Sequence, residues 1–130
     1  ICSTNRLADG MRIGAFVAHS TELPHGGMTS TAIRLTGAST SMVYAIDFNE
    51  ITDELVTLSR DADLLVVDCL RERPHPTHAH VGMALDLVQR SGAKQAVLVH
   101  MDSSLDHAML SRQLPPNVRP GHDGMVVELG

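Results

Sequence analysis

The sequence has few of the residues from which nucleic-acid surfaces are built. Aromatic residues make up 2% of its 130 residues, and tryptophan is absent. Because single strands bind proteins largely by stacking their bases on aromatic rings, this scarcity argues against a base-stacking surface. Basic residues are also in the minority, since ten Lys and Arg face fifteen Asp and Glu and give a net charge of −5. That charge disfavours a broad phosphate-binding surface but leaves open a small anionic substrate held by metal ions.

The sequence also lacks a disulfide framework and a membrane-spanning run. Its two cysteines, Cys2 and Cys69, lie far apart and match no zinc-ribbon spacing, and Cys69 is typical of a small core residue. No signal peptide is recognisable, and no apolar run approaches the ~20 residues that a membrane span requires. We therefore expect a protein of the reducing cytoplasm that makes no contact with a membrane. Because the chain begins with Ile1, we also expect it to be the C-terminal part of a longer protein.

What the sequence does contain is enough aliphatic residues for one core. A chain of 130 residues with 43% hydrophobic content suits a single domain, residues 1–130, whose interior rests on Leu, Val, Ile, Ala and Met. The seven Met residues are better explained as core filler than as a cofactor site.

Three apolar runs each end on an acid or a histidine. Residues 41–46 run into Asp47, residues 64–67 into Asp68, and residues 95–99 into His100, while His78 follows shortly after the second run. Unbroken apolar runs of this length predict strands covered on both faces, and open α/β sheets place their chemistry beyond the carboxyl ends of such strands. The pattern predicts one rim that holds Asp and His together, which is the donor set of a metal site.

The remaining pattern predicts a layered α/β fold. In its first half we expect a strand over residues 11–17, a loop over residues 19–28 and a strand hairpin over residues 31–46. After it we expect a helix capped by Asn49 or Thr52, the central strand, a helix capped by Thr77, a strand at 95–99, a helix at about 104–114 and a strand at 125–129. Val81, Leu85 and Val88 form the predicted buried stripe of the second helix, which Ser91 and Gly92 end.

Several short motifs occur in an order that resembles a known family. They are His25-Gly26, Tyr44-Ala45-Ile46-Asp47, Asp63-Leu64-Leu65-Val66-Val67-Asp68, Pro74-His75-Pro76-Thr77-His78, Leu98-Val99-His100-Met101 and Asp123-Gly124-Met125. Together they resemble the C-terminal half of the metallo-β-lactamase-fold hydrolases. The nearest branch is similar to the cyclic phosphodiesterases of the carbon–phosphorus-lyase pathway, and ribonuclease Z is a more distant likeness. The resemblance spans roughly residues 25–130.

The resemblance implies a fold, a site and a reaction. The fold would be the C-terminal half of an αββα sandwich with two divalent metal ions, Zn, Mn or Fe, on its rim. His25 would ligate one ion, Asp47 would bridge both, and His100 would ligate the other. His78 would assist as the catalytic group that protonates the leaving oxygen, and Asp68 would orient a histidine without binding a metal ion itself. The reaction would be hydrolysis of a small or cyclic phosphate ester through a metal-activated hydroxide. A homodimer is one assembly open to such an enzyme.

Two departures from the family pattern bear on these expectations. The H-x-H-x-D-H motif that supplies most ligands in the family does not occur in this sequence, because His75, His78 and His80 follow the spacing H-x-x-H-x-H. We therefore expect the chain alone to hold an incomplete site and to be inactive. The second histidine that the cyclic phosphodiesterases often carry three residues after His100 is here Ser103, which leaves the substrate branch open.

Each candidate residue also has a structural interpretation without a catalytic role. His25 can be a solvated loop histidine, with His19 as the rival ligand. Asp47 can be a helix N-cap, and Asp68 can cap a loop rather than orient a histidine. The other histidines, His75, His80, His107 and His122, are interpreted as surface residues. A nuclease similar to ribonuclease Z and a non-catalytic α/β metal-binding module therefore remain the alternative functions.

Overall fold

The computed structural model describes residue 4 and residues 6–129, so Cys2 lies outside the described residues. Within them the chain forms seven strands and three helices. In chain order the elements are β1 (Met11–Ile13), β2 (Phe16–His25), β3 (Met28–Thr36), β4 (Ser41–Ala45), α1 (Asp53–Ser59), β5 (Leu64–Asp68), α2 (Val81–Ser91), β6 (Ala96–Val99), α3 (His107–Gln113) and β7 (Val118–Pro120).

The strands form one mixed sheet in sequence order, from β1 to β7. The pairs from β1 to β4 are antiparallel, and those from β4 to β7 are parallel. The parallel pairs need crossover connections, and helices supply them. The α/β fold class predicted from the sequence is therefore confirmed.

The helices cover one face of this sheet. Leu55 of α1 and Leu87 of α2 are fully buried in one cluster with Val43, Leu65 and Val67 of the central strands. Along β4 the buried positions alternate with Tyr44, which lies on the opposite face and is 47% exposed. The structure is thus one sheet with one helical layer, as half of an αββα sandwich would be. Among the described residues, no helix has the length and hydropathy needed to cross a membrane.

Arg34 on β3 ties the end of α1 to the sheet. Its Nη1 donates to the carbonyl oxygens of Leu58 and Arg60 at 2.9 and 2.8 Å, and its Nη2 donates to Ser41 Oγ at 3.0 Å. Carbonyl groups in the last turn of a helix lack partners within the helix, so this guanidinium satisfies groups that would otherwise need water.

The predicted loop over residues 19–28 is wrong, because most of it is strand. β2 runs to His25 and returns as β3 through the two-residue turn Gly26–Gly27, where Gly26 has φ +63°. Pro24 predicts a loop, because proline cannot donate a backbone hydrogen bond to a neighbouring strand. However, β1 pairs only with residues 16–18, so the later part of β2 is an edge where proline is tolerated. The predicted strand over residues 11–17 is likewise divided by a turn at residues 14 and 15.

The end of the chain differs from expectation as well. Residues 125–129 are not a strand, and the last strand is instead β7, which pairs with β6. The predicted turn at Asp123–Gly124 is present, with Gly124 at φ +79°. Helix α2 begins after His80 rather than after Thr77, and its predicted C-cap Gly92 adopts φ +68°. Of the predicted stripe, Val81 and Val88 are buried.

Candidate metal centre

Three of the predicted site residues lie at the carboxyl ends of neighbouring parallel strands. Asp47 follows β4, Asp68 ends β5, and His100 follows β6. The register pairs Ala45 with Val67 and Asp68 with Val99, so the three strands end at the same level of one sheet edge. Parallel pairing therefore brings together residues that are 53 positions apart between Asp47 and His100.

His78 reaches this edge from the loop that follows β5. The Leu70 amide donates to the carbonyl of Ala79 at 2.9 Å, and the Ala79 amide donates to Asp68 Oδ2 at 3.2 Å. These two bonds fold the loop back over the end of its own strand. The His78 imidazole consequently lies beside Asp68, with Nδ1 at 3.1 Å from Oδ2.

The four side chains offer donor atoms that all lie within 4.8 Å of one another. His100 Nδ1 is 3.4 Å from Asp68 Oδ1 and 3.7 Å from Asp47 Oδ1, and His78 Nδ1 is also 3.7 Å from Asp47 Oδ1. Two ligands of a tetrahedral ion with bonds of about 2.1 Å are about 3.4 Å apart. The spacing of these atoms therefore fits a divalent cation held between them.

Two buried oxygens in this cluster have no hydrogen-bond partner. They are Oδ1 of Asp47 and Oδ1 of Asp68. Buried polar atoms in folded proteins are almost always paired, and an unpaired carboxylate oxygen is costly to bury. A cation between them satisfies both atoms at once, and carboxylate with imidazole is a donor set that Zn, Mn and Fe accept. The residues present therefore fit the metal that the sequence predicted.

Asp68 has two contacts of different kinds. Its Oδ2 accepts three hydrogen bonds, from the amides of Phe48 and Ala79 and from His78 Nδ1, at 3.2, 3.2 and 3.1 Å. Its Oδ1 faces the cluster, close to His100. The sequence predicts that Asp68 either orients a histidine or caps a loop. Its Oδ2 contacts both His78 and the loop amide of Ala79, and its Oδ1 adds an oxygen among the candidate ligand atoms.

His25 lies next to the four-residue cluster rather than within it. Its ring centroid is 4.7 Å from that of His78, and its Nδ1 donates to the carbonyl of Thr77 at 2.7 Å. A metal-binding histidine commonly donates its other ring N–H to a carbonyl, which fixes the tautomer. That bond leaves Nε2 as the nitrogen available to bind a metal ion. The roles assigned to His25, Asp47, Asp68, His78 and His100 remain predictions.

His100 has an unusual backbone conformation, with φ +64°. The left-handed region costs a residue with a side chain about 1–2 kcal/mol, and such residues persist where surrounding contacts hold them. Here the neighbouring amides are held, because Cys69 N donates to the carbonyl of Val99 and Asp102 N to that of Leu70. The unusual conformation therefore occurs at the residue whose imidazole lies beside the two carboxylates.

The other histidines lie outside the four-residue cluster. His19, the rival ligand, pairs with Asp9 at 3.0 Å on β2. His107 and His122 are exposed and stack edge to face with each other. His75 and His80 are half-buried rather than surface residues. His75 Nδ1 accepts from the Thr77 amide, whereas Nδ1 of His80 is buried without a partner at the start of α2.

Burial and charge shift some pKa values near the site. Burial raises the pKa of the Cys69 thiol to about 12, with smaller contributions from the neighbouring carboxylates of Asp68 and Glu72. Partial burial lowers the pKa of His75, with a further contribution from the Arg71 guanidinium. Cys69 is therefore an inert core residue, as its position after β5 predicted.

One residue near the site was not identified from the sequence. Asn49 follows Asp47 by two positions, and its Oδ1 accepts from the amide of Gly26 at 2.9 Å. The sequence pattern predicts Asn49 only as a candidate helix cap, a position that Thr52 takes. No pattern in the sequence signals a contact between residues that are 23 positions apart.

The chain is similar to a known protein family in sequence and to solved structures in fold. A family model for the beta-lactamase superfamily domain matches residues 3–101. A crystal structure described as a new diphosphatase from the PhnP family is 27% identical, with a TM-score of 0.84 over 93% of this chain and 46% of its own. The short form of human tRNase Z is 21% identical, with a TM-score of 0.74 over 92% of this chain and 44% of its own, which shows the fold alone.

A third comparison covers a smaller part of a longer protein. An octanoyltransferase of Porphyromonas gingivalis strain W83 is 30% identical over 89 residues, which are 65% of this chain and 18% of that protein. This chain thus spans less than half of the diphosphatase and of the human tRNase Z, and under a fifth of the octanoyltransferase.

Proposed function

The chain belongs to the beta-lactamase superfamily, whose members are hydrolases, and on that premise we propose that it forms part of a metal-dependent phosphodiesterase. The proposed substrate is a small or cyclic phosphate ester. The single observation that supports it most directly is the pair of unpartnered, buried oxygens of Asp47 and Asp68 beside the imidazoles of His78 and His100.

The proposed site assigns each donor to a role. Asp47 Oδ1 lies 3.7 Å from Nδ1 of His78 and of His100, and its side chain is partly exposed whereas that of Asp68 is fully buried, so Asp47 is the carboxylate that two cations would share. His100 and His25 would each serve one of them. Divalent cations bound there would supply a water of lowered pKa and would neutralise negative charge on the phosphate.

His78 is the proposed proton donor to the leaving oxygen. Its Nδ1 is held by Asp68 Oδ2 at 3.1 Å, so Nε2 is the nitrogen that can transfer a proton. The buried carboxylate fixes the orientation of the ring. The side chain of His78 is 15% exposed and that of Asp68 is fully buried, so the imidazole lies between the buried carboxylate and the solvent.

The substrate class rests on composition and on the structural comparison together. The net charge of −5 and the 2% aromatic content disfavour a long nucleic acid. The compared structure at 27% identity is described as a diphosphatase, and that description supports a phosphate ester as the substrate. A nuclease similar to tRNase Z is the second candidate, supported by the shared fold.

The proposal also predicts what the 130-residue chain does in isolation. Two ions with four ligands each need more donors than the five side chains that this chain brings to the edge, even when one carboxylate is shared. Residues 1–130 alone should therefore bind divalent metal weakly. Tight binding of two ions by this chain alone would contradict the proposal.

Metal analysis combined with one substitution tests the function. In the longest natural polypeptide that contains residues 1–130, we expect about two equivalents of Zn, Mn or Fe and hydrolysis of bis(p-nitrophenyl) phosphate. His100→Ala should lose both, whereas His107→Ala, an exposed histidine of α3, should retain both. A folded, metal-free protein without hydrolysis would instead support a non-catalytic module.

A further inference from the structure

The tip of the β2–β3 hairpin is fixed against the candidate site by contacts from two other segments. The tip comprises His25 and the turn residues Gly26 and Gly27. It meets Asn49, which follows the end of β4, and Thr77, which lies in the loop that carries His78. We call these the hairpin-tip contacts. These contacts involve His25, which the proposed function makes a ligand, or its two neighbours in the chain, Pro24 and Gly26.

Asn49 holds the turn through two hydrogen bonds. Its side-chain Oδ1 accepts from the Gly26 amide at 2.9 Å, and its own amide donates to the carbonyl of Pro24 at 3.0 Å. Pro24 and Gly26 flank His25 on both sides. Asn49 therefore fixes the backbone of His25 relative to the end of β4, where Asp47 lies two residues earlier.

Thr77 meets the same tip from the opposite segment. Its carbonyl accepts from His25 Nδ1 at 2.7 Å. A Cβ placed on Gly26 would lie 2.6 Å from Thr77 Cγ2, so the turn and the loop touch with no room for a side chain. Gly26 also has φ +63°, a conformation that residues with a Cβ rarely adopt.

We propose that Asn49 and the Gly26–Thr77 contact are positioning elements that hold the His25 imidazole toward the four-residue cluster of candidate ligands. The inference rests on the proposed function, since it concerns how a ligand is aimed at the cation. A hairpin tip on an edge strand has few contacts of its own, so its ring would otherwise sample many orientations. The carbonyl of Thr77 fixes the tautomer, and Asn49 fixes the backbone from which the ring extends.

Manganese titration of the chain, followed by NMR, tests the inference directly. Mn²⁺ broadens the resonances of nearby nuclei, so weak binding suffices. In the wild-type chain the imidazole signals of His25, His78 and His100 should broaden at lower Mn²⁺ than those of exposed His107. Because this broadening falls steeply with distance from the ion, Asn49→Ala should weaken it at His25 while keeping it at His78 and His100. It should also raise the apparent Kd for Mn²⁺ about tenfold or more.

The conservative variant separates positioning from general structure. Asn49→Asp retains an oxygen that can accept from the Gly26 amide, so it should restore the broadening at His25. A purely structural role would change stability without this selective loss and rescue at one histidine.

A second set of variants addresses the Thr77 contact independently. Gly26→Ala should displace the tip and weaken broadening at His25. Gly27→Ala is the matched control, because a Cβ there meets nothing within 4 Å and its φ is not in the left-handed region. Adding Thr77→Ser to Gly26→Ala removes Cγ2, the closer of the two atoms, and leaves Cβ at 3.4 Å. The double variant should recover part of the His25 signal.

The outcomes distinguish the inference from the function on which it rests. If His78 and His100 of the wild-type chain do not broaden with Mn²⁺, the proposed metal site fails and the inference fails with it. If they broaden but His25 behaves identically in wild type, Asn49→Ala and Gly26→Ala, the inference alone is overturned. Should Asn49→Ala not fold, the Gly26 and Thr77 variants decide the question.

Discussion

Removing the carboxylate of Asp68 should destabilise the fold even when no metal is bound. Asp68 is fully buried, and its Oδ2 accepts from the amides of Phe48 and Ala79 as well as from His78. In Asp68→Ala the two backbone N–H groups stay buried without an acceptor. Each such group costs about 1–3 kcal/mol, so the free energy of unfolding should fall by about 2–6 kcal/mol.

Asp68→Asn is the matched control, because its amide oxygen can still accept at the position of Oδ2. Hydrogen bonds to a neutral acceptor are roughly half as strong as those to a carboxylate, but the variant also removes a buried negative charge near Asp47. We therefore expect a loss of less than about 2 kcal/mol. The two variants together separate the need for an acceptor from the need for a charge.

Urea unfolding in EDTA, followed by circular dichroism, measures both values, since the chain has no tryptophan to report by fluorescence. Adding Mn²⁺ should then raise the stability of the wild-type chain by mass action and should not raise that of either variant. If Asp68→Ala loses less than about 1 kcal/mol in EDTA, the reasoning from unsatisfied amides is refuted.

Three further predictions concern catalysis, packing and pH. His78→Gln in the longest natural polypeptide should lower kcat about 10²–10⁴-fold for an alkyl phosphodiester. The loss should be much smaller for a p-nitrophenyl ester, because nitrophenolate leaves without a proton. Equal losses for the two substrates would refute the proton-donor role. Arg34→Lys should lower the free energy of unfolding by about 1–3 kcal/mol in urea titrations, because one ammonium cannot replace three guanidinium hydrogen bonds to Leu58, Arg60 and Ser41; unchanged stability would show that water replaces them. The hydrogen bond from Lys94 lowers the pKa of Asp63 below 3.8. The stability that this ion pair contributes to the fold is therefore complete above pH 3.8 and is lost as the pH falls through the folded-state pKa of Asp63. In Asp63→Asn and in Lys94→Met, the free energy of unfolding should fall less steeply at acid pH than in the wild type. If either variant loses stability at acid pH as the wild type does, the ion pair is not the cause.

The parallel half of the fold was predictable because its signals are local. Residues 64–67 and 95–99 are unbroken apolar runs, and the observed strands β5 and β6 fall within one residue of them. The antiparallel half was harder to predict. Pro24, Gly26 and Gly27 are ordinary loop signals, and only the pairing of β2 with β3 shows that they form an edge strand and a two-residue turn.

The prediction of a strand at the end of the chain was wrong for a related reason. Residues 125–129 have the composition of a strand, whereas Val118–Pro120 is short and contains a proline. The shorter segment pairs because it lies beside β6 after α3, with Ala96 opposite Val118. Sheet membership depends on which segment the preceding helix delivers to the open edge, and propensity is a weak guide to that.

The sequence by itself determined that Asp47, Asp68 and His100 would share one edge. Consecutive parallel strands joined by crossovers must end on the same side of the sheet, so an acid or histidine after each strand is placed by topology alone. Only the tertiary structure decided what each side chain does there. The division of Asp68 between three N–H donors and a free oxygen, and the aim of His25 through Asn49 and Thr77, depend on contacts between residues far apart in the chain. Such contacts are set by packing geometry to within a few tenths of an ångström, and local sequence does not encode that geometry.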